Sequence, residues 1–336
     1  MIKHHLRDAA THRAWLPLWR RLRRRRAVIL TWHRFTDDQS HRDRFPVATL
    51  RRQLEMLRRD GHQVLGLPAL IENLADPGAD LSRAVALTVD DGYHDFADLA
   101  ADVFLAYDCP VTSFVTTGFL DGRVWMWWDQ VDYCLAHAGR PTLSVEVAGE
   151  VLQLDLRGPE RAASALCLWT ALKRVSTAER IRLTAELAAR LDLSIPDAPP
   201  ADCRPMQWND VRSLSRRGLR FAPHTVTHPV LSRSPDGEAA FEIEESWRRI
   251  GQEEPTAEPV FAYPHGLGAD FSQAHVARLE QLGFLGAVTM APEYAGGDPY
   301  SRYGLPRFPA TTDSGALQQV LSGAERAVRM VRGWRN

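Results

Sequence analysis

The order of strand-like and helix-like segments constrains the fold of this chain more than any other feature. A β-rich run over residues 28–32 precedes a segment with apolar residues at helical spacing, which ends at Gly61. Strand, helix and strand patterns follow over residues 85–117, and short strands with helical segments between them recur from residue 208 to residue 310. This alternation is typical of parallel βαβ units, and it predicts an α/β barrel or a doubly wound sheet.

One stretch, over residues 121–203, interrupts the alternation. It begins with the aromatic-rich VWMWWDQVDYCLAHA, continues with a predicted hairpin, LSVEVAGEVLQLDL, and ends in a helical region rich in alanine and leucine. Because βα patterns resume after it, we interpret it as an insertion rather than as a separate domain. The predicted division is a basic segment 1–26, an α/β body 27–312 that holds the insertion, and a C-terminal helix 313–336.

Composition and charge limit the classes of partner. At 336 residues and 45% hydrophobic content the chain can bury a large core, and its net charge of −1 gives no field that favours a nucleic-acid partner. A local run of arginines is interpreted either as a solvated helix face or as a peripheral contact with an anionic membrane surface: Arg20, Arg21, Arg23, Arg24, Arg25 and Arg26. The sequence indicates no particular oligomeric state.

Targeting patterns lead to an expected location. The apolar residues after the arginines are too few for a signal peptide, and no window of about 18 apolar residues predicts a transmembrane helix. The cytoplasm is therefore expected, with association at the inner membrane face as the variant that the arginines suggest. Scattered cysteines without CxxC spacing predict neither a disulfide framework nor a structural zinc site.

Two polar clusters mark the candidate site. Asp90 and Asp91 close a buried strand and precede Gly92, although mutual repulsion and desolvation both disfavour such a pair. His224 and His228, four residues apart, follow another strand. Since the carboxyl ends of parallel strands carry the functional site in α/β folds, we expect the two clusters to converge.

The residue types of these clusters match a metal site. One carboxylate and two imidazoles can form a three-ligand catalytic zinc site that leaves a coordination position for water. The cation would offset the repulsion, so that one aspartate binds metal while its neighbour accepts a proton. Alone, an Asp-Asp-Gly triplet is commonly a turn, and HxxxH arises by chance in a chain with 12 histidines. Their joint occurrence after strands favours the site.

At these residues the chain resembles the polysaccharide deacetylases with NodB homology, also classed as carbohydrate esterase family four. The family's T-F-D-D-G motif is similar to residues 88–92, and its H-[ST]-x-x-H-P motif matches residues 224–229 at every fixed position. The resemblance implies a distorted (β/α) barrel with fewer than eight units, with Asp90 as the general base. It also implies that Zn²⁺, or another divalent transition metal, is held by Asp91, His224 and His228.

Departures from the family's pattern affect the other catalytic groups. The third motif, R-x-P-[YF]-G, aligns with residues 262–266, so Ala262 replaces the arginine that steadies the base in the family, and His265 takes the aromatic position. The backbone N–H at that position typically helps to hold the oxyanion. The L-x-H motif that supplies the general acid is not evident, and Arg307 stands near its expected place. His265 and His33 are the candidates for the acid.

The resemblance implies a hydrolase that removes an N-acetyl group from an amino sugar of a polysaccharide or of a lipid-linked glycan precursor. Softer similarities point to a bacterial subgroup associated with exopolysaccharide or capsule synthesis: ILTWHRF, MWWDQV, FAYPHG and LPRFPA. His265 is predicted to be catalytic, and the predicted substrate contacts are His33, Trp208, Tyr263 and Arg307. Several tryptophans are expected either to stack on pyranose faces or to pack in the core: Trp32, Trp125, Trp127, Trp128 and Trp208.

Three alternative functions stay open on the sequence. An amidase acting on a non-sugar C–N bond would use the same residues. An inactive glycan-binding homologue would explain the degenerate third and fifth motifs. A non-haem iron oxygenase also uses two histidines and a carboxylate, although its ligands usually follow another order on a β-sandwich.

Overall fold

A curved sheet of parallel strands forms the centre of the protein. The computed structural model describes residues 19, 21, 23–38, 43–296 and 302–325. Within them the strands are β1 (Val28–Trp32), β2 (Phe35–Thr36), β3 (Phe45–Pro46), β4 (Gln63–Val64), β5 (Ala84–Val89), β6 (Val111–Val115), β7 (Thr142–Val147), β8 (Glu150–Asp155), β9 (Arg220–Pro223), β10 (Val260–Ala262), β11 (Gly286–Val288) and β12 (Phe308–Pro309).

Helices connect these strands and cover the sheet. Among the described residues the α-helices are α1 (Val47–Arg59), α2 (Leu67–Ala75), α3 (Ala101–Ala106), α4 (Thr117–Leu120), α5 (Trp127–Ala136), α6 (Glu160–Leu172), α7 (Thr177–Arg190), α8 (Trp208–Arg216), α9 (Asp236–Glu253), α10 (Gln273–Gln281) and α11 (Ser314–Ser322). A π-helical turn spans Phe96–Ala100, and 3₁₀ turns span Ala201–Cys203 and Leu231–Arg233.

The parallel strands follow one another around a distorted barrel. Hydrogen bonds join them in the order β12–β1–β5–β6–β9, and β4 pairs with the start of β5. The Glu258 N–H donates to the Phe221 carbonyl, which brings the β10–β11 pair against β9. The ring closes where the Thr289 N–H donates to the Leu305 carbonyl, shortly before β12. The predicted barrel with fewer than eight units is thereby confirmed.

Continuous apolar strands explain why this sheet lies at the centre. All residues of β1 and β5 are buried, as expected of parallel strands that are covered on both faces. Their register aligns Thr31 with Thr88 and Trp32 with Val89. The residues that follow these two strands therefore leave the sheet at the same edge.

One predicted strand is shorter than the sequence indicates. β-Branched residues predict a strand over residues 111–117, but β6 ends sooner and α4 begins at Thr117. Thr117 and Gly118 donate their N–H groups to the carbonyls of Thr225 and Val226. A Cβ at position 118 would lie 2.5 Å from the Val226 oxygen, so this close approach requires glycine. Tertiary hydrogen bonds, which local propensity does not reveal, thus attach α4 to the segment between the two motif histidines.

The insertion has a hydrophobic core of its own. Its predicted hairpin is present as the antiparallel β7–β8 pair, which turns at Ala148 and Gly149 with φ angles of 52° and 81°. The buried side chains of β7, Leu143, Val145 and Val147, pack with apolar residues of α5, α6 and α7. This cluster is separate from the barrel core, and the βα pattern resumes at α8 and β9.

Both ends of the predicted domain division lie partly outside the described residues. The residues outside the described part are 1–18, 20 and 22 of the basic segment and 326–336 of the predicted C-terminal helix. In the arginine run, Arg23 is buried and donates to the Ser82 and Val320 carbonyls, whereas Arg24 and Arg25 are exposed. The membrane contact stays a prediction. Every helix in the described part of the chain is too short or too polar to span a bilayer.

Candidate active site

A cavity of about 410 Å³ lies at the carboxyl ends of the barrel strands. One part of its lining, which we call the strand wall, consists of residues at strand ends and in the loops that follow, among them His33, Asp90, Asp91, His224, His228 and His265. The other part, which we call the insertion wall, consists of Trp127, Trp128, Asp129, Asp132, Trp169 and Lys173. The barrel edge brings together side chains that are distant in the sequence, as α/β folds commonly do at their functional sites.

Three buried side chains of the strand wall form a candidate metal site. The Asp91 Oδ1 atom lies 3.7 Å from His224 Nε2 and 3.5 Å from His228 Nε2. The two Nε2 atoms are 3.1 Å apart. Tetrahedral zinc with bonds of about 2.0 to 2.1 Å places its ligand atoms about 3.3 Å from one another, so these residues fit a zinc ion. The structure therefore brings together the three predicted ligands.

A buried hydrogen bond orients His224, and burial favours the neutral form of both imidazoles, which is the form that binds metal. His224 Nδ1 donates to the Ala262 carbonyl at 2.7 Å, which leaves the lone pair of Nε2 directed at Asp91. Burial lowers the pKa of His224 to about 4, so that its ring is neutral at neutral pH. Burial also lowers the pKa of His228 well below its usual value.

Among the described residues, Asp91 has no lysine or arginine side chain within 4.0 Å to stabilise its ionised form. Burial is the main cause that raises its pKa well above the usual range, and the charges of Asp90 and Asp129 act in the same direction. A divalent cation would offset all three effects. The electrostatics of Asp91 and the short distances between the three side chains thus both indicate a cation site.

The backbone at the cluster adopts conformations that cost free energy for residues with a Cβ. Positive φ angles occur at Asp91 (78°), Thr225 (64°), His228 (57°) and His265 (59°). Such left-handed conformations are uncommon outside glycine, and they tend to persist where the surrounding structure holds a functional site.

Glu242 of α9 holds the segment between the two histidines. Its carboxylate accepts hydrogen bonds from the Val226 N–H at 2.7 Å, the Thr227 N–H at 2.9 Å and the Thr227 hydroxyl at 2.5 Å. Glu242 is itself buried. Sequence reasoning missed this residue, because nothing in the local pattern of a helix identifies which loop one of its side chains will meet.

Asp90 stands beside the three candidate ligands and is paired with Arg307. The guanidinium donates to both carboxylate oxygens, at 2.7 Å and 2.6 Å, and also to the hydroxyls of Thr31 and Thr88 at 3.1 Å. Burial by itself would raise the pKa of Asp90, but the charge and hydrogen bonds of Arg307 outweigh it and lower that pKa. Asp90 is therefore ionised at neutral pH.

This ion pair changes two expectations from the sequence. Arg307 has 0% exposure, so it lies behind Asp90 where a substrate cannot reach it, and the predicted substrate contact is not supported. The arginine that is absent at Ala262 is instead supplied by a residue beside β12, the strand that pairs with β1. The missing arginine of the third motif therefore no longer favours an inactive homologue, whereas the absence of the L-x-H motif is unaffected by this ion pair.

The two candidate acids occupy different places. His33 Nε2 lies 3.8 Å from Asp90 Oδ2, and the His33 side chain is 42% exposed to the cavity. The His265 ring lies 4.8 Å from that of His228, and its Nε2 has no hydrogen-bond partner in the described structure. Burial, followed by the charges of Lys173 and Arg180, lowers the pKa of His265 well below its usual value.

Two predicted substrate residues are directed away from the cavity or lie outside it. Tyr263 lines the cavity in part, but its side chain is buried and its hydroxyl donates to the Tyr303 carbonyl at 3.1 Å. The Trp208 indole donates to Asp121 at 2.7 Å beneath the Arg249 guanidinium, and it is not part of the cavity wall. The predicted contact of Trp208 with substrate is therefore not supported by its position.

A hydrogen-bonded chain joins the two walls. The Trp128 indole donates to the Tyr93 hydroxyl at 2.8 Å, and this hydroxyl donates to Asp129 Oδ2 at 2.6 Å. Tyr93 follows Gly92 in the first motif. Trp127 and Trp128, for which stacking and core packing were both open, line the cavity. The two aspartates of the insertion wall were missed, although their spacing of three on a helix could have indicated a shared face.

Comparison with solved structures shows which known proteins share this fold. No family model matches the sequence, and no curated protein matches it. The deacetylase PplD from Streptococcus pyogenes, solved with acetate, has a TM-score of 0.58 and 14% identity over 88% of this chain and 97% of its own. IcaB from Ammonifex degensii has a TM-score of 0.55 and 16% identity, over 89% of this chain and 97% of its own. A de-N-acetylase from Aggregatibacter actinomycetemcomitans has a TM-score of 0.54 and 13% identity, over 88% of this chain and 99% of its own.

Proposed function

We propose that this protein is a metal-dependent hydrolase that removes an N-acetyl group from an amino sugar of a glycan. The observation that carries the proposal is that an ionised carboxylate outside the cluster, Asp90, lies beside three side chains that could bind one metal ion. The structural neighbours support the same reaction class, since their names describe deacetylases and a de-N-acetylase.

The cluster fits a divalent ion, and zinc suits its two imidazoles and one carboxylate. When bound by Asp91, His224 and His228, such an ion supplies a water of pKa about 7 and polarises the amide carbonyl. The chain's own groups perform the remaining tasks. Asp90, kept ionised by Arg307, accepts the proton of the attacking water.

Two further groups are assigned to stabilising the tetrahedral intermediate and to protonating the amine that leaves it. The backbone N–H of His265 donates to no acceptor in the described structure, and we assign it to the oxyanion. His33, beside Asp90 and open to the cavity, is assigned to deliver a proton to the leaving amine. Burial lowers the pKa of both rings, but it lowers that of His265 well below the usual value, so His265 is less suited to that role.

The substrate is proposed to be a polysaccharide or a lipid-linked glycan precursor. The tryptophans of the insertion wall present aromatic surface on which pyranose faces can stack. The expected cytoplasmic location, with the arginine segment at the inner membrane face, belongs to the same proposal, since a lipid-linked precursor would be available there.

Acetate release from N-acetylated glycans tests the proposal. We expect release by the zinc-loaded chain, loss of release with a chelator, and loss of release in Asp90→Asn. Asp102→Asn, which changes an exposed aspartate on α3, is the matched control and should retain release. Release that survives both the chelator and Asp90→Asn would refute the proposal.

A further inference from the structure

The insertion wall carries more negative charge than its own contacts compensate. Asp129 and Asp132 lie three residues apart on α5 and share one face. Asp43 lines the same part of the cavity. In the described part of the chain, neither Asp129 nor Asp132 has a basic side chain within 4.0 Å. Lys173 and Arg34 also line the cavity, but neither lies within 4.0 Å of these two carboxylates, which repel each other when both are ionised.

The environment of these carboxylates disfavours their ionised forms. Burial raises the pKa of Asp129 to about 6. Burial raises the pKa of Asp132 to about 7, and the charges of Asp129 and Asp43 contribute. The nearby Arg34 is already paired with Asp95 at 2.6 Å. A cationic ligand in the cavity would relieve the repulsion, whereas a neutral ligand would not.

An independent feature of the same wall indicates a ligand with polar groups. Trp127 lines the cavity with 8% exposure, and its indole N–H has no acceptor among the described residues. A buried indole N–H normally finds a hydrogen-bond acceptor. Trp128 and Trp169 add aromatic surface beside it, which suits the apolar face of a pyranose and also attracts cations. The wall therefore combines an unused donor, aromatic surface and excess negative charge.

We propose that the insertion wall binds a sugar unit with a free ammonium group, next to the N-acetylated unit that is held at the strand wall. This inference rests on the proposed function and names the substrate class: a partly N-deacetylated amino-sugar oligomer. Asp129 and Asp132 accept hydrogen bonds from the ammonium group, the Trp127 N–H donates to a sugar oxygen, and the aromatic rings cover the sugar face. The hydrogen bond from the Tyr93 hydroxyl to Asp129 connects this wall to the residue that follows the first motif.

Calorimetry with two matched probes that cannot release acetate tests the proposal. One is a β-1,4-linked glucosamine tetrasaccharide, and the other is the corresponding glucose tetrasaccharide, which has hydroxyl groups in place of the amines. We expect the zinc-loaded full chain to bind the glucosamine probe roughly tenfold more tightly at pH 7. Equal Kd values would overturn the proposal.

Matched variants locate the source of the preference. The isosteric double variant Asp129→Asn/Asp132→Asn keeps an acceptor for Tyr93 and should bring the two Kd values within about twofold of each other. Asp192→Asn, at an exposed aspartate of the insertion, should keep the full preference. A preference that persists in the double variant would show that the amine binds elsewhere, for example at the metal, and would contradict the proposal.

Two further measurements keep the outcomes distinct. Raising the salt concentration should weaken the preference of the unmodified chain, because partly exposed ion pairs are screened, and a salt-independent preference would contradict the proposal even if the double variant failed to fold. Acetate release is measured separately. Release without an amine preference would overturn this inference alone, whereas an amine preference without release from any glycan would overturn the proposed hydrolysis alone.

Discussion

The strand wall and the insertion wall of the cavity are built in different ways. In the strand wall, buried partners hold several reactive groups: Arg307 holds Asp90, the Ala262 carbonyl holds His224, and Glu242 holds the histidine segment. In the insertion wall, aspartates and tryptophans stand on helices that pack over a separate core. The comparison teaches that the proposed catalytic groups lie where strand register determines position, while the proposed recognition groups lie on an added unit.

Loss of a ligand in the strand wall should have the largest effect. We expect His228→Ala to abolish stoichiometric zinc binding and to lower acetate release by about a thousandfold, since several kcal/mol of transition-state stabilisation depend on the metal. Metal analysis and an acetate assay measure the two effects. His137→Ala, at an exposed histidine of the insertion, should change neither. Full zinc occupancy in His228→Ala would refute the ligand assignment.

Removal of Arg307 should destabilise the fold and alter the pH profile. Arg307→Gln leaves Asp90 buried without its cation, and we expect a loss of about 3 to 5 kcal/mol in the free energy of unfolding near neutral pH. Because Arg307 lowers the pKa of Asp90, the stabilisation is present above the usual aspartate pKa and is lost as the pH falls through the lowered value. The difference between the variant and the unmodified chain should therefore shrink in acid.

The same substitution should move the acidic limb of the rate profile to higher pH, because Asp90 must be ionised to accept a proton. Denaturant unfolding and acetate release at several pH values measure the two effects. Arg248→Gln, which breaks an exposed pair with Glu245 on α9, should change stability by less than about 0.5 kcal/mol. An unshifted acidic limb would contradict the role of Arg307.

Glu242 should affect metal affinity more than a purely structural residue would. In Glu242→Gln an NH₂ group replaces one carboxylate oxygen. The glutamine side chain therefore cannot accept all three hydrogen bonds from the histidine segment. We expect zinc affinity to fall by about 10- to 100-fold, as for other groups that support metal ligands. Competition with a chelating dye measures the affinity. Glu238→Gln, at an exposed position of α9, is the control. Reduced thermal stability with unchanged zinc affinity would rule out positioning.

The smallest effect should come from the insertion wall. Trp128→Phe keeps an aromatic ring but removes the hydrogen bond to the Tyr93 hydroxyl, which is worth about 1 kcal/mol. We expect KM for an oligosaccharide to rise about fivefold with little change in kcat, since the residue contributes to binding. Trp208→Phe, outside the cavity, should leave both constants unchanged. A larger effect of Trp208→Phe would restore the original prediction for that residue.

The sequence predicted the fold class and the convergence of the three candidate metal ligands. The alternation of strands and helices predicted an α/β barrel or a doubly wound sheet, and the family resemblance favoured the barrel that the structure shows. The hairpin of the insertion is also present as expected. The motif residues Asp90, Asp91, His224 and His228 converge because each follows a strand of one parallel sheet. Their positions could be inferred because strand ends are visible in local patterns.

The partners of these residues could not be inferred in the same way. Arg307 was expected to contact substrate, yet it is buried against Asp90 because β12 pairs with β1. Thr117 was expected in a strand, yet it begins a helix that is hydrogen-bonded to Thr225. In each case a contact between distant segments, which no local pattern encodes, decided the outcome.

By itself, the sequence determined which residue types meet at the carboxyl edge of the barrel, since apolar strands and the polar residues after them are recorded in local order. Tertiary structure alone decided which cation pairs with Asp90, which carboxylate holds the histidine segment, and that the insertion places aspartates and tryptophans beside the metal cluster. The physical reason is that these contacts depend on strand neighbours and on helix packing, both of which arise when distant segments bury their apolar surfaces together.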